Sequence, residues 1–221
     1  RAIAINPGNA MYYMNHGNVL RQIGQMEAAL ASFDQAVAIA PDFTDAYVLR
    51  GNILHELQQL DAAVASFDRA LALRPHDLVV CFNRGNALRA LGQWEAAIAS
   101  FDQALAVDPH CAEAYVNRGL TQRELKQADA ALASFDRAIA IRPDFAEAYL
   151  NRGLTLQEFS TTPDGLEDAI RMLTKACQML PDAPEQLMSL AKVLAKAQRH
   201  AEAEAAAQRA LAVDGDDSSG A

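Results

Sequence analysis

The sequence predicts an all-α protein made of antiparallel helix hairpins, and three observations lead to that fold class. First, the 221 residues are 51% apolar but only 6% aromatic, and they are rich in Ala, the residue with the highest helix propensity. Second, proline and glycine return at a constant interval of 34 residues. Third, the apolar and small residues inside each interval have helical spacing. The recurring residues are Pro7, Pro41, Pro75, Pro109 and Pro143, with Gly17, Gly51, Gly85, Gly119 and Gly153.

This interval divides the chain into repeats, whose positions we number from the third residue after each proline. The repeats are 10–43, 44–77, 78–111, 112–145, 146–183 and 184–213. Residues 1–9 are the end of a truncated repeat, because RAIAINP at 1–7 matches RAIAIRP at 137–143. We therefore expect the chain to be a piece of a longer protein with a further repeat upstream. Residues 214–221 are polar and contain glycine, and we expect a disordered tail there.

Each repeat contains the pattern of two helices. Positions 4, 8 and 11 have the spacing of one helical face and mark the first helix, and positions 20, 24 and 27 mark the second. A glycine such as Gly24 or Gly92 lies between the helices, and the proline ends the second one. Small residues at positions 8, 20 and 27 let the two backbones approach, while larger ones fill the gaps. In the first repeat these positions hold Tyr13, Gly17, Leu20, Ala29, Phe33 and Ala36.

This pattern strongly resembles the tetratricopeptide repeat over nearly the whole chain. The resemblance implies a right-handed superhelical solenoid whose concave groove is lined by the outer sides of the first helices. It is similar to bacterial arrays such as those attached to O-linked N-acetylglucosamine transferase-like proteins. The chain departs from the family pattern at Cys81, Gln122 and Ala207, where we expect looser packing.

Two lines of asparagine lie opposite the hairpin core, at positions 6 and 9 of the first helix. A carboxamide has both a donor and an acceptor, so it can pair with a peptide backbone without reading the side chain. An apolar strip at position 5 adds to the predicted groove. The alternative is that these asparagines are simply solvated. The candidate groove residues are Asn15, Asn18, Asn52, Asn83, Asn86, Asn117 and Asn151, with Met14, Val48, Phe82, Val116 and Leu150 in the strip.

Some family members clamp a C-terminal carboxylate of a chaperone, which the resemblance ties to lysines in the groove. Met14 and Val48 occupy position 5, where such a lysine would lie. The sequence therefore disfavours that type of clamp.

Arginine at position 7 and aspartate at position 25 also recur every 34 residues. The arginines lie on an apolar flank, where a charge needs a partner. We expect each arginine to meet the aspartate of the preceding repeat, with bidentate geometry open to the guanidinium. A ladder of arginines holding an acidic ligand is the alternative. The predicted pairs are Asp34 with Arg50, Asp68 with Arg84, Asp102 with Arg118, and Asp136 with Arg152.

The fifth repeat is four residues longer than the others, since 38 residues separate Pro143 from Pro181. The segment STTPDG at 160–165 contains a turn signal, so we expect a lengthened hairpin loop there. Such a loop is either a finger that contacts a partner or a neutral surface insertion.

Charge and motifs exclude several classes of function. A net charge of −9 and a pI near 5.0 disfavour nucleic acid and anionic membranes, and the sequence lacks a membrane-spanning or signal segment. Cys81, Cys111 and Cys177 have no metal or disulfide spacing and indicate a cytoplasmic protein. We find no catalytic, metal-binding or cofactor-binding motif.

These observations predict a protein–protein interaction module that holds an extended peptide segment of a partner in its groove, on behalf of a larger protein. The alternative is a structural scaffold that self-assembles through its repeat ends, where apolar surface lacks a cap. No set of residues supports an enzyme.

Overall fold

Residues 8–217 are described by the computed structural model of the chain, with side chains up to residue 213. This range contains helices and no strand, which confirms the all-α prediction. The helices are α1 (Ala10–Gln22), α2 (Met26–Ile39), α3 (Thr44–Glu56), α4 (Leu60–Leu73), α5 (Leu78–Ala90), α6 (Trp94–Val107), α7 (Ala112–Glu124), α8 (Ala128–Ile141), α9 (Ala146–Phe159), α10 (Pro163–Met179), α11 (Pro184–Lys196) and α12 (His200–Asp217).

Consecutive helices pair as antiparallel hairpins, and the hairpins fall into two compact units, Arg1–Pro109 and His110–Ala221. The half helix predicted at 1–7 and the end of the predicted tail, 218–221, lie outside the described residues. The tail was expected to begin at Asp214, but α12 continues to Asp217. Extending an existing helix adds a hydrogen bond for each residue fixed, so a helix can continue past its last apolar contact.

A left-handed residue ends the first helix of most hairpins. Gly24 and Gly92 have φ of 77° and 74°, which glycine adopts without steric cost. Three other turns place a side-chain-bearing residue in this conformation, at Gln58, Lys126 and Gln198. The turn after the first helix therefore forms either with the predicted glycine or with a residue that carries a side chain.

The lengthened loop predicted at 160–165 is not present. Only residues 160–162 separate α9 from α10, whereas α9 has 14 residues and α10 has 17. The extra residues therefore lengthen the helices. The reason lies at the start of α10, where Pro163 occupies the first turn and the Thr162 hydroxyl accepts a hydrogen bond from the Gly165 amide.

The two helices of a hairpin meet at a glycine and a large side chain. In α5, a Cβ added to Gly85 would lie 2.6 Å from Cε1 of Phe101, which is completely buried. Gly17, Gly51 and Gly119 face Phe33, Phe67 and Phe135 in the same way. Gly153 faces Leu173 instead, and there the Cβ would lie 2.8 Å from Cγ. The aromatic ring thus occupies the space that any side chain at the glycine would need.

Gly85→Ala should therefore destabilise the protein by about 2 kcal/mol, because the added methyl group overpacks the contact with Phe101. Urea denaturation followed by circular dichroism would measure the loss. Ala90→Ser, on the exposed side of the same helix, is the control and should change the free energy of unfolding by less than about 0.5 kcal/mol. An equally small effect of Gly85→Ala would contradict the packing argument.

Arginine joins neighbouring repeats in the predicted register. Nε of Arg50 donates to Oδ1 of Asp34, Arg84 does so to Asp68, and Arg152 to Asp136, each at 2.6 Å. These three pairs are confirmed. The pair of Asp102 and Arg118 joins residues assigned to different units and stays a prediction.

The described contacts at these pairs go through Nε, and in two of them Nη1 has a different partner. In repeats 2 and 3, Nη1 of Arg50 donates to Ser66 and that of Arg84 to Ser100, at 2.6 and 2.7 Å. Both serines are buried and lie on the second helix of their hairpin, at position 23 of the repeat. The Ser100 hydroxyl also donates to the Ala96 carbonyl. Each arginine therefore links the aspartate of one hairpin to the serine of the next.

The fifth repeat shows what happens without the serine. Met172 occupies position 23 there, allowing for the four extra residues, and the buried Nη1 of Arg152 has no hydrogen-bond acceptor among the described residues. In the first repeat, His16 replaces the arginine and its Nδ1 lies 3.0 Å from the Ser32 hydroxyl. The serine at position 23 therefore forms a hydrogen bond with the residue at position 7, whether that residue is arginine or histidine.

Cys81 and Gln122, two of the positions where we expect looser packing, are buried and hydrogen-bonded, respectively. Cys81 is completely buried, and burial raises the pKa of its thiol above the usual value, which fits a packing residue better than a nucleophile. Gln122 accepts a hydrogen bond from the Ser134 hydroxyl at 2.7 Å. A polar side chain in this core position is therefore held by a partner.

Ser100→Ala should lower the free energy of unfolding by about 1 kcal/mol, because it leaves Nη1 of Arg84 without its acceptor. Urea denaturation would measure the change. Ser189→Ala is a matched control, since the Ser189 hydroxyl bonds only the Glu185 carbonyl of its own helix. If the two variants were equally stable, the serine would have no part in joining the repeats.

Candidate functional site

Three predicted groove asparagines line one cavity in the first unit. Asn52 of α3 and Asn83 and Asn86 of α5 surround a space of about 160 Å³. Phe67, which is 1% exposed, also borders this space. The cavity also contains residues that the sequence analysis did not single out, namely Arg21, His55 and Glu56.

Only some of the hydrogen-bonding atoms of these carboxamides are paired with one another. Nδ2 of Asn83 donates to Oδ1 of Asn52 at 2.9 Å. Oδ1 of Asn86 is buried but accepts no hydrogen bond from the described residues. Since buried polar atoms nearly always have a partner, this oxygen is the acceptor at the cavity for which the described residues supply no donor.

The other asparagines of the first unit lie on α1. Asn15 is exposed and Asn18 is half-buried. Both remain accessible, as expected for an outward-facing line, but neither lines the cavity.

The asparagines of the second unit are used within their own helices. Nδ2 of Asn117 donates to the Glu113 carbonyl at 3.1 Å, and that of Asn151 to the Glu147 carbonyl at 2.9 Å. Asn151 is only 8% exposed. The expectation that it faces a groove is therefore not met, because its carboxamide turns back along the helix.

The predicted apolar strip at position 5 belongs largely to the hydrophobic clusters. Val116 is 1% exposed, so a ligand cannot reach it. Phe82 is half-buried, and its ring meets that of Phe101 edge to face at 6.0 Å between centroids. Met14, Val48 and Leu150 are half-buried and pack against clusters of buried residues. The position lies closer to the hairpin interior than the helical angle alone indicates, because its side chains are large enough to reach the core.

A basic residue that recurs at position 12 was missed. Arg21, His55, Arg89 and Arg123 occupy it in the first four repeats, and in the first three it follows the asparagine of position 9 by one helical turn. Nε of Arg89 is buried and has no hydrogen-bond partner among the described residues. The constant interval of 34 was the available signal, and it would have placed these cations beside the asparagine line.

A search for other site types found little in the described range. Residues 8–217 contain no group of three or more His, Cys, Asp or Glu side chains arranged to hold a metal ion. No helix in that range is both long and apolar enough to cross a bilayer.

Comparison with known proteins identifies the family. The family model described as tetratricopeptide repeat matches residues 1–77, 82–146 and 164–219. A search of curated proteins found no match.

Solved structures with similar folds include other repeat proteins. YrrB, described as a tetratricopeptide repeat protein with an unusual peptide-binding site, is 27% identical with a TM-score of 0.71, covering 84% of this chain and 94% of YrrB. PilW, described as a type IV pilus biogenesis factor, is 25% identical with a TM-score of 0.75, covering 92% and 90%. A protein from Parabacteroides merdae, at 18% identity and a TM-score of 0.79, covers 92% and 79% and shows the fold alone. From the family match and the hairpin array, this chain belongs to the tetratricopeptide repeat family.

Proposed function

We propose that this chain is a protein–protein interaction module that binds an extended segment of a partner across the first helices of repeats 1–3. The observation that carries the proposal is the cavity of Asn52, Asn83 and Asn86, with one buried acceptor left unpaired. The tetratricopeptide repeat fold supports the general class of function. We place the proposed binding surface on the face of the first unit that carries this cavity.

Carboxamides suit the recognition of a peptide backbone. Each offers an acceptor oxygen and two donor hydrogens, so it can pair with a peptide N–H or C=O whatever the side chain is. Oδ1 of Asn86 needs a donor, and a backbone N–H supplies one. Asn52 and Asn83 already bond each other, which holds their carboxamides in position before a ligand arrives.

Three further points belong to this proposal. YrrB, which is described as having a peptide-binding site, supports a peptide as the ligand class. The net charge of −9 favours a protein partner over nucleic acid or an anionic membrane. We infer a non-catalytic module, placed in the bacterial cytoplasm.

A double substitution tests the proposal. Linear peptides would be selected on the wild-type chain from a displayed random library, and their affinities measured by fluorescence polarisation. Asn83→Ala with Asn86→Ala should weaken binding at least roughly tenfold, because it removes two backbone-pairing groups of about 1 kcal/mol each.

Asn117→Ala provides the matched control, since Asn117 bonds its own helix in the second unit. It should leave the affinity within about twofold, and both proteins should keep the wild-type circular dichroism spectrum. If the double variant bound the selected peptides as tightly as the control does, the cavity would not be the binding site.

A second candidate function, self-association, is favoured by the exposed side of α1. Val19 is 55% exposed and Ile23 is 62% exposed. At position 10, where Val19 lies, later repeats hold residues such as Ile53 that are completely buried, and Ile53 shares a cluster with Phe33 of the preceding hairpin. α12 has one such residue, Leu211, which is 65% exposed, and a polar pair in which Gln208 donates to Glu204. We propose that copies associate through α1 on each side.

Val19→Lys should then convert a concentration-dependent dimer into a monomer, because it places a charge in the apolar contact. Multi-angle light scattering across a hundredfold range of concentration would measure the mass. Leu180→Lys, which adds the same charge at another exposed apolar position, should leave the dimer intact. A wild-type chain that stays monomeric throughout would rule out this candidate.

A further inference from the structure

Two basic side chains lie at the asparagine cavity without an acidic partner. Arg21 is exposed and His55 is half-buried, and neither forms an ion pair within residues 8–213. Arg50, Arg84 and Arg152, in contrast, each pair with an aspartate.

The position of these cations follows the asparagine line. Asn18 precedes Arg21, Asn52 precedes His55 and Asn86 precedes Arg89, in each case by three residues. Side chains with this spacing lie next to each other on one side of a helix. A line of basic groups therefore runs beside the line of carboxamides through the first three repeats.

The geometry points to an acidic segment as the ligand of this cavity, and this inference rests on the proposed function. A backbone N–H of the segment meets Oδ1 of Asn86, and a carboxylate of the same segment meets Arg21, with His55 beside it. A guanidinium binds a carboxylate through charge-assisted hydrogen bonds, which are stronger than neutral ones. His55 adds to the attraction when its imidazole is protonated.

The shape of the cavity permits such a ligand. Its volume of about 160 Å³ far exceeds the roughly 10–15 Å³ that one water molecule requires. A carboxylate-bearing side chain therefore fits between the carboxamides and the cations.

Glu56 also lines the cavity and repels an acidic ligand. It is exposed, so water and salt screen its charge. Its effect gives the inference a second test of opposite sign, because removing this charge should strengthen binding.

A positional-scanning library of acetylated, amidated nonapeptides provides the probe. Each position is fixed in turn as one amino acid while the others are random, and binding to the immobilised full chain is measured. At one or more positions, Asp or Glu should bind at least roughly threefold better than the isosteric Asn or Gln. A parallel library with free C-termini separates the two carboxylate sources, since a preference confined to that library identifies a C-terminal carboxylate.

Variants that each change one charge then test which residues of the chain produce the preference for acidic peptides. For the best acidic peptide, Arg21→Glu should weaken binding at least roughly tenfold, and Glu56→Gln should strengthen it about threefold. Lys175→Glu, an equal charge change at an exposed residue of α10, should leave affinity within about twofold. Circular dichroism checks that each variant keeps its fold.

The outcomes separate this inference from the proposed function. If peptides bind and the asparagine variants weaken them, but acid and amide peptides bind equally, the segment is not acidic and the module still binds peptides. Equal effects of Arg21→Glu and Lys175→Glu would overturn the placement of the carboxylate, as would a preference for RNA or heparin that competes with every peptide. If no library peptide binds, both proposals fail.

Discussion

The contact between a glycine of the first helix and a large side chain of the second determines how each hairpin is built. At Gly85 the ring of Phe101 fills the volume where a side chain would begin, so the two backbones come as close as the ring allows. This contact fixes which side of the first helix points inward. The opposite side, with positions 6, 9 and 12, is thereby turned away from the hairpin core. The candidate site depends on this rotation more than on any residue within it.

A second constraint, the arginine at position 7, acts between hairpins. Arg84 contacts Asp68 in one hairpin and Ser100 in the next, so one side chain has to span the gap between the two hairpins. Because the apolar contacts around it have no direction, hydrogen bonds at fixed geometry specify the register. Arg152, which keeps its aspartate but has no serine, shows that the ion pair can form without the second contact.

The sequence was sufficient for the parts of the structure that repeat. Hairpin order and the pairing of Arg50 with Asp34 follow from a constant interval, since each copy confirms the others. The fate of the four extra residues did not follow, because a Pro–Asp–Gly turn signal also fits the first turn of a helix, and Pro163 takes that place.

The site was harder to predict than the fold for two physical reasons. Angular position on an ideal helix does not show how far a side chain reaches, so Val116 was placed on the surface although it is buried. A carboxamide also has a competing partner in the carbonyl of its own helix, and Asn151 takes that partner where Asn83 does not. Burial and hydrogen bonding, which decide both cases, depend on neighbours that a single repeat does not contain.

The differences between the repeats then indicate where function lies. Asn at position 9 gives way to Leu120 and Leu154 in repeats 4 and 5, and the asparagines that remain at position 6 there are satisfied by their own helices. In repeat 3 the carboxamides are kept at both positions of α5, and Oδ1 of Asn86 has no hydrogen-bond donor among the described residues. Arg84 and Ser100, which join two repeats, find their partners within the fold. Groups left without a partner in a cavity are therefore the ones whose partner is expected to come from another molecule.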